Sequence, residues 1–315
     1  MPYKNKGKLY LAPLKKIKMN RISKAFCLVS LLTIFAACKK DDGANVAPPR
    51  DYAVQYATEK VEIEDYLKTH YITVDANFDV VFTKIQTGGT QTSIWDQTEY
   101  PLQSKIVNSN NVDYTVYYIV LSEGIGQSPT RADNVLTAYR GILLDGTQFD
   151  YTPFPQTQSP LISSIEGWQE IIPLFKTGEY IDIPNSPDPP SFQNFGSGIM
   201  FLPSGLGYYN SGRGLISAYD SLIFTFKLYD LEYTDLDGDG ILNKDETVAG
   251  TDIDDYDTDG DGVPNYKDAD DDGDGYFTKD EITIPSSDPV EYYDFDAIPT
   301  CNGGTLKKHL DPSCH

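Results

Sequence analysis

Three acidic segments near the end of the chain have the residue types and the spacing of a cation-binding loop. Residues 235–246 and 270–281 match the twelve-residue pattern D-x-[DN]-x-[DN]-G-x5-E at every position, and residues 257–268 repeat it with an aspartate last. Calcium takes six to eight oxygen ligands, and carboxylates at alternate positions of a loop with a sharp glycine turn can surround one ion. The sequence therefore predicts about three structural calcium sites.

The predicted ligands occupy the first, third, fifth, seventh, ninth and twelfth positions of each loop, the seventh through its backbone carbonyl oxygen. A solvated acidic linker is the usual interpretation of a charged run, but three aligned copies argue against it here. The predicted ligands are Asp235, Asp237, Asp239, Ile241, Asn243 and Glu246; Asp257, Asp259, Asp261, Val263, Asn265 and Asp268; and Asp270, Asp272, Asp274, Tyr276, Thr278 and Glu281.

The sequence between these loops is unsuited to paired helices. Gly250, Pro264 and Pro285 interrupt it, and successive loops start 22 and 13 residues apart. Such spacing favours a string of loops over helix–loop–helix pairs. The segment resembles thrombospondin type 3 repeats, and this resemblance implies an irregular fold organised around calcium, with a structural rather than a signalling role.

A second set of chemically interesting residues lies in the aromatic middle of the chain, in three clusters that follow one another in order. Tyrosine, phenylalanine and tryptophan dominate them, together with one aspartate that follows a phenylalanine. Any one cluster could arise by chance, and each aromatic residue alone is more often part of a core than of a site. The clusters are YRGILLDGTQFD at 139–150; IEGW at 165–168 with KTGE at 176–179; and LPSGLGY at 202–208 with Ile216 and LIF at 222–224.

Together these clusters resemble the FK506-binding-protein (FKBP) family of peptidyl-prolyl cis-trans isomerases, over about residues 114–232. The resemblance implies an α+β fold with an antiparallel sheet wrapped on a short helix, a pocket for proline-containing polypeptides and no catalytic cofactor. Rotation about an X-Pro bond needs no nucleophile, because an apolar site that binds the twisted amide better than the planar one lowers the barrier of ~18–20 kcal/mol. The implied site residues are Trp168 as floor; Tyr139, Phe149 and Phe224 as walls; Ile165 as backbone donor; Ile216 at the rim; Asp150 as carboxylate; and Tyr208 as hydroxyl donor.

The chain departs from the family pattern at the rim of this pocket. The segment after Asp150 is short, rich in proline and without the usual basic partner; Ser164 stands where valine is usual, and Tyr209 and Ser217 replace a glycine and a proline. Weak or altered activity is therefore compatible with the sequence. The alternatives are a non-catalytic, calcium-dependent surface binding or spacer module, favoured if the inserted segment 184–195 fills the pocket, and an interaction protein that works mainly through 235–315.

The beginning of the chain has the composition of an export signal. Residues 1–37 hold eight Lys and Arg and no acid, and the apolar run 25–37 is too short to cross a bilayer as a helix. A cysteine directly after this run resembles a bacterial lipobox, which implies that Cys38 is lipidated; an ordinary secretory peptide is the alternative. We therefore expect a signal peptide at 1–37, with Met19 as an alternative start, and an outer-membrane lipoprotein on the periplasmic face or the cell surface.

Export leaves Cys301 and Cys314 as the remaining cysteines of the mature chain, and in an oxidising compartment such a pair predicts a disulfide. Closing a loop of this length is worth ~3 kcal/mol in the chain-entropy model. His309 and His315 lie nearby, so a zinc site is the less favoured alternative.

The elements that must position these residues follow from composition and pattern. The 315 residues suffice for about two domains, and 47 acidic against 25 basic residues give a net charge of −22, which disfavours nucleic acid as a partner. We expect a helix over 52–70, a β-rich stretch at 78–85 and strands at 114–121, 135–144, 199–202 and 221–231, and we expect a monomer. The predicted segments are 1–37, signal peptide; 38–50, tether; 51–112, accessory α+β segment; 113–232, FKBP-like domain; 233–285, calcium repeats; and 286–315, disulfide-closed tail.

Overall fold

The computed structural model describes residues 48–182, 184, 191–301 and 303–314, and Arg50–His315 form one compact unit. The predicted signal peptide, Cys38, most of the tether and His315 lie outside the described residues. No helix in the described ranges combines the length and the apolar character needed to cross a membrane.

Helix α1, Tyr52–Thr69, starts the folded unit. The carboxylate of Asp51 caps it by accepting a hydrogen bond from the Val54 N–H at 3.0 Å. Its buried residues recur at helical spacing, so one face packs inward; they are Gln55, Tyr56, Glu59, Ile63, Tyr66 and Leu67.

Seven strands of the described chain form one antiparallel sheet in the order β3-β4-β10-β11-β5-β6, with β7 paired to β5. Two further antiparallel pairs, β1 with β2 and β8 with β9, lie outside it. The strands are β1 His70–Val74, β2 Val80–Lys84, β3 Leu102–Ser109, β4 Val112–Ser122, β5 Asn134–Leu143, β6 Gln148–Thr152, β7 Ser159–Pro160, β8 Glu179–Ile181, β9 Ser191–Gln193, β10 Gly196–Leu202 and β11 Leu222–Glu232.

The central strand β10 is buried along its whole length because both faces of the sheet are covered. Met200 and Leu202 face a core that contains Trp168 of the short helix α2, Glu166–Ile171. Ile199 and Phe201 face a second core with the C-terminal half of α1 and β2. This alternation is the period of two expected of a strand. The α+β class and the antiparallel sheet against a short helix are as the sequence predicts.

The segment 51–112, predicted as an accessory unit, is part of this architecture. Its last strand, β3, pairs with β4 from Leu102 opposite Ile119 to Ser109 opposite Val112, so the boundary expected at 112/113 falls inside a β-hairpin. The two strands are joined by a tight turn at Asn110 and Asn111, both with positive φ, and the sequence analysis did not use this asparagine pair as a hairpin signal.

The acidic stretch 233–285 consists of turns and short helical segments. Single 3₁₀ turns occur at Asn243–Asp245, Ile253–Asp255 and Asn265–Lys267, and helix α3, Thr278–Glu281, spans four residues. This stretch is fully described and has no pair of long helices flanking a loop. It packs on the sheet domain through a small apolar cluster of Ala132, Ile162, Ile253 and Tyr266.

The tail closes against the acidic stretch. Ile298 packs with Ile241 and Ile282, and a disulfide joins Cys301 to Cys314 with their Cα atoms 5.9 Å apart. His309 is 2% exposed, and burial lowers its pKa to about 4. Its partner in the alternative zinc site, His315, lies outside the described residues.

Candidate functional site

A cleft of about 980 Å³ opens between helix α2 and strands β5, β6 and β11. All eight side chains or backbone positions predicted for the isomerase pocket line this cleft, although they come from five separate parts of the chain. The convergence of residues that are up to 85 positions apart in sequence follows from the strand order β11-β5-β6. They are Tyr139, Phe149, Asp150, Ile165, Trp168, Tyr208, Ile216 and Phe224.

The aromatic residues of the cleft meet edge to face. The ring of Trp168 lies 5.1 Å from that of Tyr139 and 5.3 Å from that of Phe224, with interplanar angles of 82° and 86°. Phe149 meets Phe224 at 5.4 Å and 83°. Such contacts are favourable for the ring quadrupoles and hold each ring in one orientation. The result is an apolar floor, Trp168, and three aromatic walls.

Two glycines allow this close packing. A Cβ atom on Gly141 of β5 would lie 2.3 Å from the ring of Phe149, and one on Gly167 of α2 would lie 2.5 Å from the side chain of Leu202. Gly141 therefore makes room for a wall of the cleft, and Gly167 lets α2 press its Trp168 onto the sheet. Close packing therefore explains why the YRG and EGW clusters have glycine at these two positions.

Asp150 lines the cleft, and its side-chain partner is the Tyr139 hydroxyl rather than the basic residue that is usual in the FKBP family. One carboxylate oxygen accepts a hydrogen bond from the Tyr139 hydroxyl at 2.8 Å, and the other accepts one from the Tyr151 N–H at 2.8 Å. Burial and the neighbouring carboxylate raise the pKa of Tyr139, so its hydroxyl remains a donor. The pair fixes the direction in which Asp150 faces the cleft.

The predicted polar donors are accessible to a ligand. Ile165 immediately precedes α2 in an extended conformation, and within the described chain its backbone N–H donates to no other group. The Tyr208 hydroxyl likewise has no hydrogen-bond partner among the described residues, and the guanidinium of Arg213 lies 5.8 Å from the centre of its ring. Two residues that line the cleft thus offer donors that no described group occupies.

Helix α1 holds the loop that carries Tyr208. The buried carboxylate of Glu59 accepts hydrogen bonds from the Ser204 N–H at 2.9 Å and the Ser204 hydroxyl at 2.5 Å. Burial raises the pKa of Glu59. Tyr209 has a φ of 46°, a conformation that favours glycine, and it is held there by stacking on Tyr52 at 3.9 Å. The accessory segment, to which the sequence assigns no chemistry, therefore supports the rim.

The described part of the inserted segment 184–195 lies elsewhere. Strand β9 pairs with β8, and Phe192 stacks on Tyr229 with ring centres 5.2 Å apart. None of residues 191–195 lines the cleft.

Two residues that the sequence analysis misses do line the cleft. They are Phe154, which is 82% exposed, and Arg213. The PFP at 153–155 and the RG at 213–214 are the only local signals that could have drawn attention to them.

The first two acidic repeats share one set of hydrogen bonds, and the third differs in that its Gly273 N–H donates to the backbone oxygen of Asp270 rather than to its carboxylate. In the first, Asp235 accepts from the N–H groups of Gly238 and Gly240 at 2.7 and 3.0 Å, and Asp239 accepts from Ile241 at 2.8 Å. The second repeat reproduces these bonds at Asp257 and Asp261. In the first two loops both oxygens of the first carboxylate are thus held by N–H groups of the same loop, and one oxygen each of the first, third and fifth residues lie within 4.8 Å of one another.

The ninth residue of each repeat has a structural task. The side-chain oxygen of Asn243 accepts from the Leu236 N–H at 2.9 Å, that of Asn265 accepts from the Thr258 N–H at 2.9 Å, and the Thr278 hydroxyl accepts from the Asp271 N–H at 3.2 Å. Each of these bonds closes a loop across its base. The ligand role of these three residues stays a prediction.

Carboxylates with buried oxygens that lack a partner gather in this stretch. Each repeat contains one set of three carboxylates whose oxygens lie within 4.8 Å of one another. A fourth set of this kind consists of Asp239, Glu246 and Asp271. Burial and mutual repulsion raise the pKa of Glu246 to about 10 and that of Asp271 to about 9. The donor set is all oxygen, which suits a hard divalent cation such as calcium. The three repeat sets are Asp235, Asp237 and Asp239; Asp257, Asp259 and Asp261; and Asp270, Asp272 and Asp274.

The chain is similar to a protein family and to several curated proteins. A protein family described as BamM C-terminal matches residues 230–308. In addition, 114 residues are 35% identical to "Peptidyl-prolyl cis-trans isomerase Mip" of Coxiella burnetii, covering 35% of this chain and 42% of that protein. Similarly, 125 residues are 34% identical to "FKBP-type peptidyl-prolyl cis-trans isomerase FkpA" of Aeromonas hydrophila, covering 39% and 40%.

The chain thus spans about two fifths of the length of these curated relatives. Among solved structures, a peptidyl-prolyl cis-trans isomerase from Pseudomonas syringae is similar with a TM-score of 0.35 and 18% identity, covering 59% of this chain and 99% of that one. Over about a third of its length, the chain is homologous to FKBP-type peptidyl-prolyl cis-trans isomerases.

Proposed function

We propose that this chain is a peptidyl-prolyl cis-trans isomerase of the bacterial envelope that acts on proline-containing segments of exported or surface proteins. The observation that carries the proposal is the single cleft that brings together all eight pocket positions expected from the FKBP resemblance. The homology to named isomerases over about a third of the chain supports it.

The reaction follows from the shape and polarity of the cleft. An X-Pro bond resists rotation because amide resonance gives it partial double-bond character, with a barrier of ~18–20 kcal/mol. The twisted amide has lost that resonance, and its carbonyl is less polar. A water-poor site with aromatic walls therefore binds the twisted form better than the planar one, and each ~1.4 kcal/mol of this preference accelerates exchange tenfold.

The polar groups of the cleft orient the substrate. Trp168 forms the floor for the proline ring, and the Ile165 N–H is placed to donate to a substrate carbonyl beyond it. We expect Asp150, whose carboxylate accepts from the Tyr139 hydroxyl, to lie beside the amide carbonyl of a bound substrate and to disfavour its planar, more polar state. The Tyr208 hydroxyl would supply a second donor.

A peptide isomerisation assay on the full chain tests this function. We expect catalysis by the wild type, a loss of at least about tenfold with Asp150→Ala, and no change with Asp230→Ala, an exposed carboxylate on β11 outside the cleft. An inactive wild type with a normal cooperative unfolding transition would show that the fold serves as a binding or spacer module instead.

The acidic segment is proposed to bind calcium as a structural cation. The residues fit this role because side-chain oxygens of Asp237, Asp239, Glu246, Asp272 and Glu281 are buried without a hydrogen-bond partner. Charged groups are costly to bury unless they are paired or coordinate a metal. Bound calcium would supply the missing positive charge, and the carboxylates of the three repeats would hold it.

Attachment to a membrane through a lipid on Cys38 completes the proposal, with the protein on the periplasmic face of the outer membrane or at the cell surface. The apolar run that ends in two alanines directly before Cys38 supports it. Detergent phase partitioning of the wild type and a Cys38→Ser variant tests it, with the wild type expected in the detergent phase and the variant in the aqueous phase. Partition of both into the aqueous phase would contradict it.

A further inference from the structure

We propose that Asp271 of the third repeat is a ligand to the cation of the first repeat, so that one ion joins two repeats that are separated by 23 residues of sequence. This inference rests on the proposed calcium binding and adds a ligand from outside the twelve-residue loop. Its consequence is that an ion holds the first and third repeats together in addition to the small apolar cluster of Ile241, Ile282 and Ile298.

The position of Asp271 sets it apart from the carboxylates of its own loop. One of its oxygens lies within 4.8 Å of those of Asp239 and Glu246, whereas Asp270, Asp272 and Asp274 form a separate set. All three members of the first group are buried, with exposed fractions of 2% for Asp239, 3% for Glu246 and 2% for Asp271.

The oxygens of this group lack partners. Both carboxylate oxygens of Asp271, both of Glu246 and one of Asp239 are buried without a hydrogen bond. A carboxylate that is removed from water and unpaired costs several kcal/mol, and three such groups facing one another repel as well. A divalent cation between them is the simplest partner that satisfies their oxygens at once.

The fold of the third loop does not itself require an acid at this position. Asp271 is the second residue of its repeat, and the second residues of the other two repeats are Leu236 and Thr258. All three use their backbone N–H in the same way, as donor to the side chain of the ninth residue. Only the third repeat puts a carboxylate there, and it turns inward toward the neighbouring repeat.

The surroundings of the group are built to keep it in place. Ile241, which follows the first loop's glycine, packs against Ile282, which directly follows Glu281 at the end of the third loop. The Lys279 ammonium also donates to the Gly238 carbonyl oxygen at 3.1 Å, a direct bond between the two loops. The first and third repeats are therefore in contact on either side of the carboxylate group, and a cation can bind there without a large rearrangement.

Calcium titration of the full chain by calorimetry, with calcium chloride alone as ligand, tests the inference. The variants are Asp271→Asn, Glu246→Gln as a matched loss from the same group, and Asp280→Asn as an exposed control in the third repeat. We expect Asp271→Asn and Glu246→Gln each to weaken one site by at least about tenfold and to leave the remaining sites unchanged. The control should bind as the wild type does.

Thermal unfolding in EDTA supplies a second readout that separates a ligand from a structural residue. Removing a buried carboxyl group whose two oxygens lack hydrogen-bond partners should raise the melting temperature of Asp271→Asn in EDTA and reduce its increase on adding calcium. Unchanged affinities in Asp271→Asn, or a lower melting temperature in EDTA with all sites weakened together, would overturn the inference while calcium binding stands. A wild type that binds no calcium would instead refute the calcium proposal itself.

Discussion

The guanidinium of Arg131 donates to the carboxylate of Glu170 at 2.5 Å and thereby connects the helix that carries Trp168 to the acidic repeats. The same guanidinium contacts Asp252 at 3.0 Å and also pairs with Asp254, both in the segment between the first two repeats. Burial disfavours the charge, but the three carboxylates outweigh it and raise the pKa of Arg131. One side chain thus joins the floor of the cleft to the proposed calcium-binding segment.

Replacing this arginine should loosen the connection. We expect Arg131→Ala to lower the free energy of unfolding by about 2–3 kcal/mol, because it leaves Asp252 and Asp254 without their common partner and Glu170 with Lys105 alone. Urea unfolding at neutral pH measures the change. Arg131→Lys keeps the charge but not the forked geometry of the guanidinium, so its free energy of unfolding should lie between those of Arg131→Ala and the wild type. A variant as stable as the wild type would mean that the apolar contact of Tyr266 with Ala132 suffices.

Packing at Gly141 gives a prediction about the wall of the cleft. A methyl group there would meet the Phe149 ring at 2.3 Å, so we expect Gly141→Ala to push this ring away, to cost about 1–3 kcal/mol of stability and to reduce isomerase activity. Combining it with Phe149→Leu removes the steric conflict. The two changes together should therefore cost less than the sum of the single changes, as measured by a double-mutant cycle. Strict additivity would argue against this contact.

Much of the cleft could be predicted because its residues lie in short, ordered clusters. Tyr139, Asp150 and Trp168 each belong to a run of neighbours that matches the FKBP pattern. The roles of Glu59 and Arg131 could not be predicted, because each depends on a partner that is tens of residues away. The proposed ligand role of Asp271 could not be predicted either, because the second position of the twelve-residue pattern carries no ligand within its own loop.

The rim shows how a departure from a sequence pattern can be compensated. Tyr209 stands where the family has glycine, and its φ of 46° explains that preference. The hydroxyl of Tyr209 also donates to the Arg50 carbonyl oxygen, and its ring stacks on Tyr52. The strain at this residue is therefore offset by contacts with Arg50 and Tyr52 and by an edge-to-face contact with the ring of Tyr219.

Restoring glycine at this position should for that reason destabilise the protein. Relief of the strained conformation is worth about 1 kcal/mol, whereas the loss of a buried aromatic ring costs about 3–5 kcal/mol. We expect Tyr209→Gly to lower the free energy of unfolding by at least about 2 kcal/mol in urea. Tyr209→Phe, which keeps the stacking on Tyr52, should cost about 1 kcal/mol. A glycine variant more stable than the wild type would contradict this balance.

The stability of the protein should change with pH in opposite directions in the absence and in the presence of calcium, because of the acidic repeats. Burial and repulsion raise the pKa of Asp237 to about 7, that of Asp239 to about 6 and that of Glu281 to about 8, well above the ordinary value of about 4 for an unfolded carboxyl group. Between about pH 4 and 8 the folded chain therefore binds more protons than the unfolded chain, and its stability falls as pH rises through this window.

In EDTA we accordingly expect the free energy of unfolding to decrease between pH 5 and 8, by about 1.4 kcal/mol per pH unit for every extra proton that the folded chain holds. In saturating calcium the trend should reverse, because binding displaces those protons and becomes tighter as pH rises. Urea unfolding at each pH measures both slopes. The double variant Glu246→Gln, Asp271→Asn removes two raised pKa values and should flatten the slope in EDTA. A stability in EDTA that rises with pH would show that these carboxylates are not repelling one another in the folded chain.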